Sequence, residues 1–264
     1  MLTKEQKYFY QENGFIKLDN IFSDNEMENM SREYDRVFDR KKSQSLEATW
    51  KGDLMKKETG GAPVSVLSIH NLQFHSAVFT KVLNNERLLD ALEDIMGTPN
   101  ILLHHTKAHL KPPEKGAPFV MHQDYHYFPF KNHSMVAVFI HMDDTTPENG
   151  GLAVYPGSHK LGPLEDKGVL EKGMHYHCID QDKYPLLGAT PVRAKRGDVL
   201  IFSYLLIHGS YLNTTDRVRR MFLIQLMSAE DEPLPNTNSY PGQGLVLRGE
   251  NIFRDAAVTS RFDN

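Results

Sequence analysis

The hydrophobic pattern changes its period near Asn100, and that change constrains the fold more than any single motif. Before it, apolar residues recur at helical spacing. Ser23-Asp-Asn-Glu26 fits a capping box, in which each side chain satisfies a backbone N–H of the other. Met27, Met30, Tyr34, Val37 and Phe38 then form one apolar stripe. Asn85 to Met96 reads as another helix, stopped by Gly97-Thr-Pro99. A polar-aromatic helix over Gln6 to Gln11 and a half-buried strand, Gly14-Phe-Ile-Lys-Leu-Asp19, precede both. After Asn100 the chain breaks into short β-rich runs: Ile101 to Leu110, Phe119 to Met121, Met135 to Met142, Leu152 to Tyr155, Asp198 to Tyr204 and Arg219 to Met227. Lys111-Pro-Pro, Pro147-Glu-Asn-Gly-Gly151, Pro156-Gly-Ser and Arg196-Gly-Asp separate them as turns. Helices first and many short strands afterwards predict a mainly β barrel or sandwich braced by N-terminal helices.

Two stretches fit neither period. Residues 41 to 61 are charged and Gly-containing, a loop carrying the only tryptophan, Trp50. Residues 162 to 190 are too long for a hairpin turn and read as a lid or binding loop. With 264 residues, 40% hydrophobic and 24% charged, one domain is expected. Within it, residues 1–99 would be the helical and strand support, 100–230 the β core with the 162–190 insertion, and 231–264 a C-terminal tail. Thirty Lys and Arg against 34 Asp and Glu leave a net charge of −4, which gives no electrostatic case for nucleic acid or an anionic membrane. The longest apolar runs, Val136 to Ile140 and Tyr204 to Ile207, are too short to span a bilayer. The charged N-terminus has no apolar segment of a secretory signal behind it. The single cysteine, Cys178, excludes an intrachain disulfide framework and a Cys-rich zinc knot. The expectation is a cytoplasmic monomer or homodimer that handles a small molecule.

Thirteen histidines make a metal site worth seeking, because neutral imidazole is the commonest metal-ligand side chain. Two His-x-Asp triplets occur, His122-Gln-Asp124 and His141-Met-Asp143, where about one is expected by chance. Residues i and i+2 of a strand face one side, so either triplet can offer an imidazole and a carboxylate to one ion. His141 closes the apolar run Val136 to Ile140 and leads into a polar turn, which gives Asp143 and Asp144 a structural role. His122 instead follows Gly116-Ala-Pro and opens an aromatic run, Tyr125 to Phe130. A two-histidine, one-carboxylate iron site needs a further, distant histidine. The buried run from Val199 delivers His208, and Gly209 then permits close backbone approach. Eleven residues later Arg219 opens another strand and offers a carboxylate a planar two-pronged donor. Arg217 shares its strand parity and stays a rival; Arg220 has the opposite parity.

His122-x-Asp124, then His208-Gly-Ser210 eighty-four residues on, then Arg219, resembles the phytanoyl-CoA dioxygenase family of iron(II)/2-oxoglutarate oxygenases. So does the intervening Asp144-Thr-Thr-Pro-Glu-Asn-Gly-Gly-Leu-Ala-Val-Tyr-Pro-Gly-Ser-His159-Lys, and so does the opening Phe9-Tyr-Gln-Glu-Asn-Gly-Phe-Ile-Lys-Leu18. The resemblance covers roughly residues 5 to 230. It implies a double-stranded β-helix (jelly-roll) core with flanking helices, and His122, Asp124 and His208 as ligands of Fe(II). It implies Arg219 on the far carboxylate of 2-oxoglutarate with Ser210 beside it, and leaves His159 off the metal. Thr106 and Lys107 would be the polar cosubstrate contacts on the 101–110 strand. Some relatives place a cosubstrate-binding lysine in the first half; around Val66 to Ile69 this chain has none.

The implied reaction uses O2 and 2-oxoglutarate, releases succinate and CO2, and oxidises a substrate C–H bond, most simply by hydroxylation. Asp124 fills the position that halogenating relatives leave for halide, so chlorination is not expected. The substrate rim would come from Tyr125 to Phe130, the 41–61 loop, and the 162–190 insertion with His175-Tyr-His177, which suits a small polar or amphipathic metabolite. Neither the net acidity nor the C-terminal Arg261-Phe-Asp-Asn supports a CoA thioester or a peroxisomal address. Two other readings use the same residues: a Zn²⁺ or Ni²⁺ Lewis-acid enzyme on the same jelly-roll, and a non-catalytic binding protein. Arg219 argues against the first, and the intact set of His122, Asp124, His208, Ser210 and Arg219 against the second.

Overall fold

Thr3 starts the first helix with a capping box, its Oγ1 accepting from the Gln6 N–H while the Gln6 side chain accepts from the Thr3 N–H. The computed structural model describes residues 1–41, 47–48, 67–114, 116–171, 174–235, 237 and 239–252. Trp50, nearly all of the 41–61 loop and the C-terminal Arg261-Phe-Asp-Asn lie outside the described residues. Helix α1 (Lys4–Asn13) ends at Gly14, in the left-handed region at φ +77°, and a Cβ there would collide with the His159 imidazole. Helix α2 (Asp24–Lys41) carries the expected box between Ser23 and Glu26 and buries the whole Met27, Met30, Tyr34, Val37, Phe38 stripe. Helix α4 (Glu86–Met96) is capped by the Asn85 side chain and stops at Gly97. Between them lies α3 (Ala77–Leu83), which the sequence reading missed: two turns, with Phe79, Val82 and Leu83 buried, are too short for a visible period.

The strands are β1 (Phe15–Leu18), β2 (Glu47–Ala48), β3 (Leu67–His70), β4 (Ile101–Lys111), β5 (Phe119–His122), β6 (Val136–His141), β7 (Leu152–Val154), β8 (Val169–Glu171), β9 (Met174–Tyr176), β10 (Thr190–Pro191), β11 (Val199–Ser203), β12 (His208–Ser210), β13 (Arg219–Ser228) and β14 (Val246–Arg248). An eight-stranded sheet runs β1-β11-β6-β13-β4-β3-β2, with β14 also on β4; a four-stranded sheet runs β10-β7-β12-β5. Their pairings are antiparallel, and the two sheets make a jelly-roll. One face of the large sheet, with Val138, Ile201, Phe222 and Ile224, packs on helical Leu72, Phe79, Leu88 and Leu92. The other, with Phe139, Phe202, Met221 and Leu223, meets Leu152 and Val154 of the small sheet. Burial on both faces explains why β6 and β11 read as continuous apolar runs.

The buried run from Val199 delivers His208 by way of two strands, not one. It breaks at Ser203, where Leu206 N–H donates to Ser203 O at 2.8 Å, and Tyr204 to Ile207 carry the chain from the large sheet to the small one. β1 and β3 extend the large sheet from the N-terminal support, and β14 extends it from beyond residue 230. No helix among the described residues is long and apolar enough to cross a membrane.

Several histidines are sealed in this core. Burial pushes His104 down to about 4 and His141 down to about 3. The unfolded chain protonates these rings near pH 6.5, whereas the folded one does not, so the unfolded state binds more protons below that pH. Their full contribution therefore stands above pH 6.5 and is lost as pH falls, at about 1.4 kcal/mol per pH unit for each ring. The metal-free protein should show a falling Tm between pH 6.5 and 4.5; a flat Tm there would contradict the neutral, buried state of these rings.

Candidate metal centre

His122 ends β5 and His208 opens β12, and the two are cross-strand partners in the small sheet with ring centroids 4.2 Å apart. Gly209 lets the strands lie this close, since a Cβ there would stand 2.6 Å from Met121 Sδ and 2.7 Å from Phe119 O. Asp124 begins the 3₁₀ turn that follows β5 (Asp124–Tyr127). Its Oδ1 lies 3.5 Å from His122 Nε2 and 3.6 Å from His208 Nε2. One donor atom from each of the three lies within 4.8 Å of the others, and all three residues are buried. Each imidazole donates Nδ1–H to a carbonyl of its own segment, His122 to Val120 at 2.8 Å and His208 to Leu206 at 3.0 Å. Those bonds fix the proton on Nδ1 and leave the Nε2 lone pairs aimed toward Asp124. Gln225 of β13 donates to the other carboxylate oxygen, Oδ2, at 2.7 Å. Burial by itself would raise the Asp124 pKa; His208, His122 and the Gln225 bond together bring it to about 2. Burial and then His122 push His208 down to about 4. At neutral pH Asp124 is ionised and His208 neutral, the forms that ligate a cation.

The triad opens into a cavity of about 350 Å³ between the sheets. Beside it Arg219 is buried at the start of β13, with Nη1 donating to Gly150 O at 2.8 Å and Nε without a partner. Directly across the strand pair stands Lys111, fully buried, its Nζ donating to Ser210 Oγ at 2.7 Å and Tyr211 O at 2.6 Å. Ser210 lines the cavity. Gly150, at φ +85°, makes the room: a Cβ there would stand 2.7 Å from Lys111 Cδ. Among the described residues no carboxylate bonds to either cation. Burial and then Arg219 hold Lys111 well below the usual lysine range, and burial holds Arg219 down to about 10. Like charges across a strand pair repel, and a buried cation without an anion costs several kcal/mol. A bound carboxylate would relieve both, so the residues present fit a dicarboxylate beside a metal.

The expected residues divide clearly. Arg217 is exposed, and among the described residues its side chain pairs with Asp216 alone, at 3.8 Å, which favours Arg219 as the anchor. Arg220 faces away and binds Asp143 and Asp35, while Asp144 accepts from Lys195 and the Arg196 N–H. His159 donates to Gln11 O at 3.1 Å, far from any ligand role. Thr106 is a correction. Its Oγ1 accepts from Leu72 N–H at 2.8 Å and donates to Gln73 Oε1 at 2.6 Å, on the helical side of β4, because the alternate residues His105, Lys107 and His109 face the cavity. Lys111 and Gln225 were missed. Lys111 shares the parity of Lys107, and Gln225 is the polar interruption of an apolar strand. Of the expected rim, Tyr127, Phe128 and Tyr176 line the cavity, whereas the His175 side chain and nearly all of the 41–61 loop lie outside the described residues.

Residues 10–221 match the family model described as Phytanoyl-CoA dioxygenase (PhyH). The chain belongs to this family. Peroxisomal phytanoyl-CoA dioxygenase of Rattus norvegicus is 34% identical over 230 residues, covering 83% of this chain and 67% of that protein. The probable alpha-ketoglutarate-dependent hypophosphite dioxygenase of Stutzerimonas stutzeri is 27% identical over 256 residues, covering 93% and 86%. Among solved structures, EctD from S. alaskensis with bound Fe aligns with TM-score 0.72 and 20% identity, over 94% of this chain and 87% of that one, which shows the shared fold. Membership of the phytanoyl-CoA dioxygenase family makes this chain an Fe(II)/2-oxoglutarate-dependent dioxygenase, with Fe(II), 2-oxoglutarate and O2 as its reactive partners.

Proposed function

We propose that the enzyme hydroxylates a C–H bond of a small-molecule metabolite, with His122, Asp124 and His208 holding Fe(II) and Arg219, Lys111 and Ser210 receiving the far carboxylate of 2-oxoglutarate. The observation that carries this reading is a three-donor cluster on a cavity lined by Ser210, which accepts from buried Lys111 across the strand pair from buried Arg219, with no carboxylate on either cation among the described residues. Bound there, the iron, 2-oxoglutarate and O2 supply the oxidising power, releasing succinate and CO2 while one oxygen atom enters the substrate.

The chain's own residues do the positioning. Gln225 holds Asp124 Oδ2 and so turns Oδ1 toward the two imidazoles. The Val120 and Leu206 carbonyls fix the ring tautomers. Tyr127, Phe128 and Tyr240 wall the cavity and exclude water from the reacting centre. Its volume, about 350 Å³, sits at the small end of the ~300–1,000 Å³ typical of ligand pockets, and the cosubstrate takes a share. That favours a small substrate. Asp124 occupies the ligand position a halide would need, so halogenation is not supported. The Lewis-acid reading gives Arg219 and Lys111 no partner, and a mere binding protein has no use for the triad. Composition favours a cytoplasmic monomer or homodimer working without nucleic acid or membrane.

The test is anaerobic titration of the apo-protein with Fe(II) and 2-oxoglutarate, following the weak visible charge-transfer band of the chelate. A saturable band is expected, followed by succinate release in a metabolite screen. Bound iron with no band would bring the Lewis-acid reading to the front.

A further inference from the structure

His104 and His105 are consecutive on β4, where a regular strand would send them to opposite faces. The register against β13 slips here: Gln225 pairs with His105 and Leu226 with Leu103, leaving His104 as an extra, bulged residue. Bulges re-aim side chains and are common beside active sites. This one brings the two rings together, Nδ1 to Nδ1, at 2.7 Å. Two lone pairs would repel at that distance and two protons would clash, so one proton lies between the rings. Burial keeps both rings neutral at pH 7, each with a single proton. One ring is therefore protonated on Nδ1 and the other on Nε2.

The surroundings decide which. His104 Nε2 is buried without a partner, and the ring is caged by Phe128, Phe130 and Tyr240 at centroid distances of 4.9, 5.9 and 4.9 Å. A buried N–H without an acceptor is rarer than an unfilled lone pair. His104 thus donates its Nδ1–H to His105, and His105 carries its own proton on Nε2. His105 lines the cavity, stacked on Tyr240 at 4.6 Å and 16°, and no acceptor among the described residues meets its Nε2. Lys107 and His70 line the same cavity, where Asp124 is the only carboxylate among the described lining residues.

We propose that the His104–His105 pair locks His105 as a hydrogen-bond donor into the cavity, and that the enzyme selects substrates presenting an oxygen acceptor to it, a carboxylate or carbonyl, over ammonium compounds of the same shape. The inference rests on this cavity being the site of oxidation.

The protein loaded with Zn(II) and 2-oxoglutarate, a diamagnetic stand-in for the iron form, is labelled with ¹⁵N-histidine, and each ring's protonated nitrogen is read from its shifts. His104 protonated on Nδ1 and His105 on Nε2 are expected; the reverse, or two identical tautomers, overturns the lock. Isobutyrate and isobutylamine, matched in shape, are then titrated while the His105 signal is followed. Isobutyrate should move it saturably and isobutylamine should not, and His104→Phe should weaken the isobutyrate response about tenfold, the worth of one hydrogen bond. An equal response to both probes, including none from either, overturns the selectivity. Absence of the Fe(II)–2-oxoglutarate charge-transfer band would sink the oxygenase reading instead, a failure that the tautomer measurement does not share.

Discussion

His208→Ala should leave a folded protein that retains no stoichiometric iron and turns over no 2-oxoglutarate. The residue opens a three-residue strand whose pairing to β5 and β7 runs through backbone groups, so the sheet does not depend on the ring. The ring itself packs on Phe202 at 4.7 Å and on His122, and alanine leaves a polar hole between two donors. Removing a residue that only orients a ligand typically costs 10–100-fold in metal affinity, so loss of a ligand itself should exceed ~100-fold. Asp124→Ala should match it, since it removes the only carboxylate of the cluster. Gln225→Ala, which releases only Asp124 Oδ2, should fall in that smaller 10–100-fold range. Iron content after desalting, read beside the circular dichroism spectrum, checks all three. Stoichiometric iron in His208→Ala would break the ligand assignment.

Arg219→Ala should raise the 2-oxoglutarate requirement by roughly 10²–10³-fold, the scale for truncating one partner of a buried, hydrogen-bonded charge pair. Lys111→Met should move it in the same direction by less, because Arg219 still meets the carboxylate. Arg217→Ala should do nothing measurable, its side chain being in solvent. Thermal shift separates binding from turnover. 2-Oxoglutarate should raise the Tm of the wild type by mass action and scarcely move that of Arg219→Ala. Without ligand, Lys111→Met should be as stable as the wild type or more so, since it relieves a cross-strand repulsion of two buried cations. A larger loss in Arg217→Ala than in Arg219→Ala would reverse the assignment of the anchor.

The helices were legible where they ran long enough to repeat, as in the five-residue stripe of α2, and illegible in α3, where three apolar residues fit in two turns. The triad was readable because Gly209 and the His-x-Asp spacing survive as local patterns, and because their order resembles a family. Pairing registers leave no such mark. The bulge at His104 exists only in the slip between β4 and β13, and Thr106 was placed in the cavity because the strand's parity was clear but not which face was inward. The crossing between sheets at Tyr204 to Ile207 left no mark in the sequence because a buried turn and a buried strand are both apolar.

The ligand triad arises from β5, the turn after it, and β12, all at the small sheet, while β4 and β13 of the large sheet supply Lys107, Lys111, Arg219 and the His104–His105 pair. The proposed metal ligands thus sit on one wall, and the proposed cosubstrate anchors share the other with the His104–His105 pair, the walls joined by the Gln225–Asp124 and Lys111–Ser210 bonds. A lineage could repaint positions 105, 107 and 109 of β4 through successive mutations and acquire a new diet, while the triad, Gln225 and the Arg219–Lys111 pair are inherited intact.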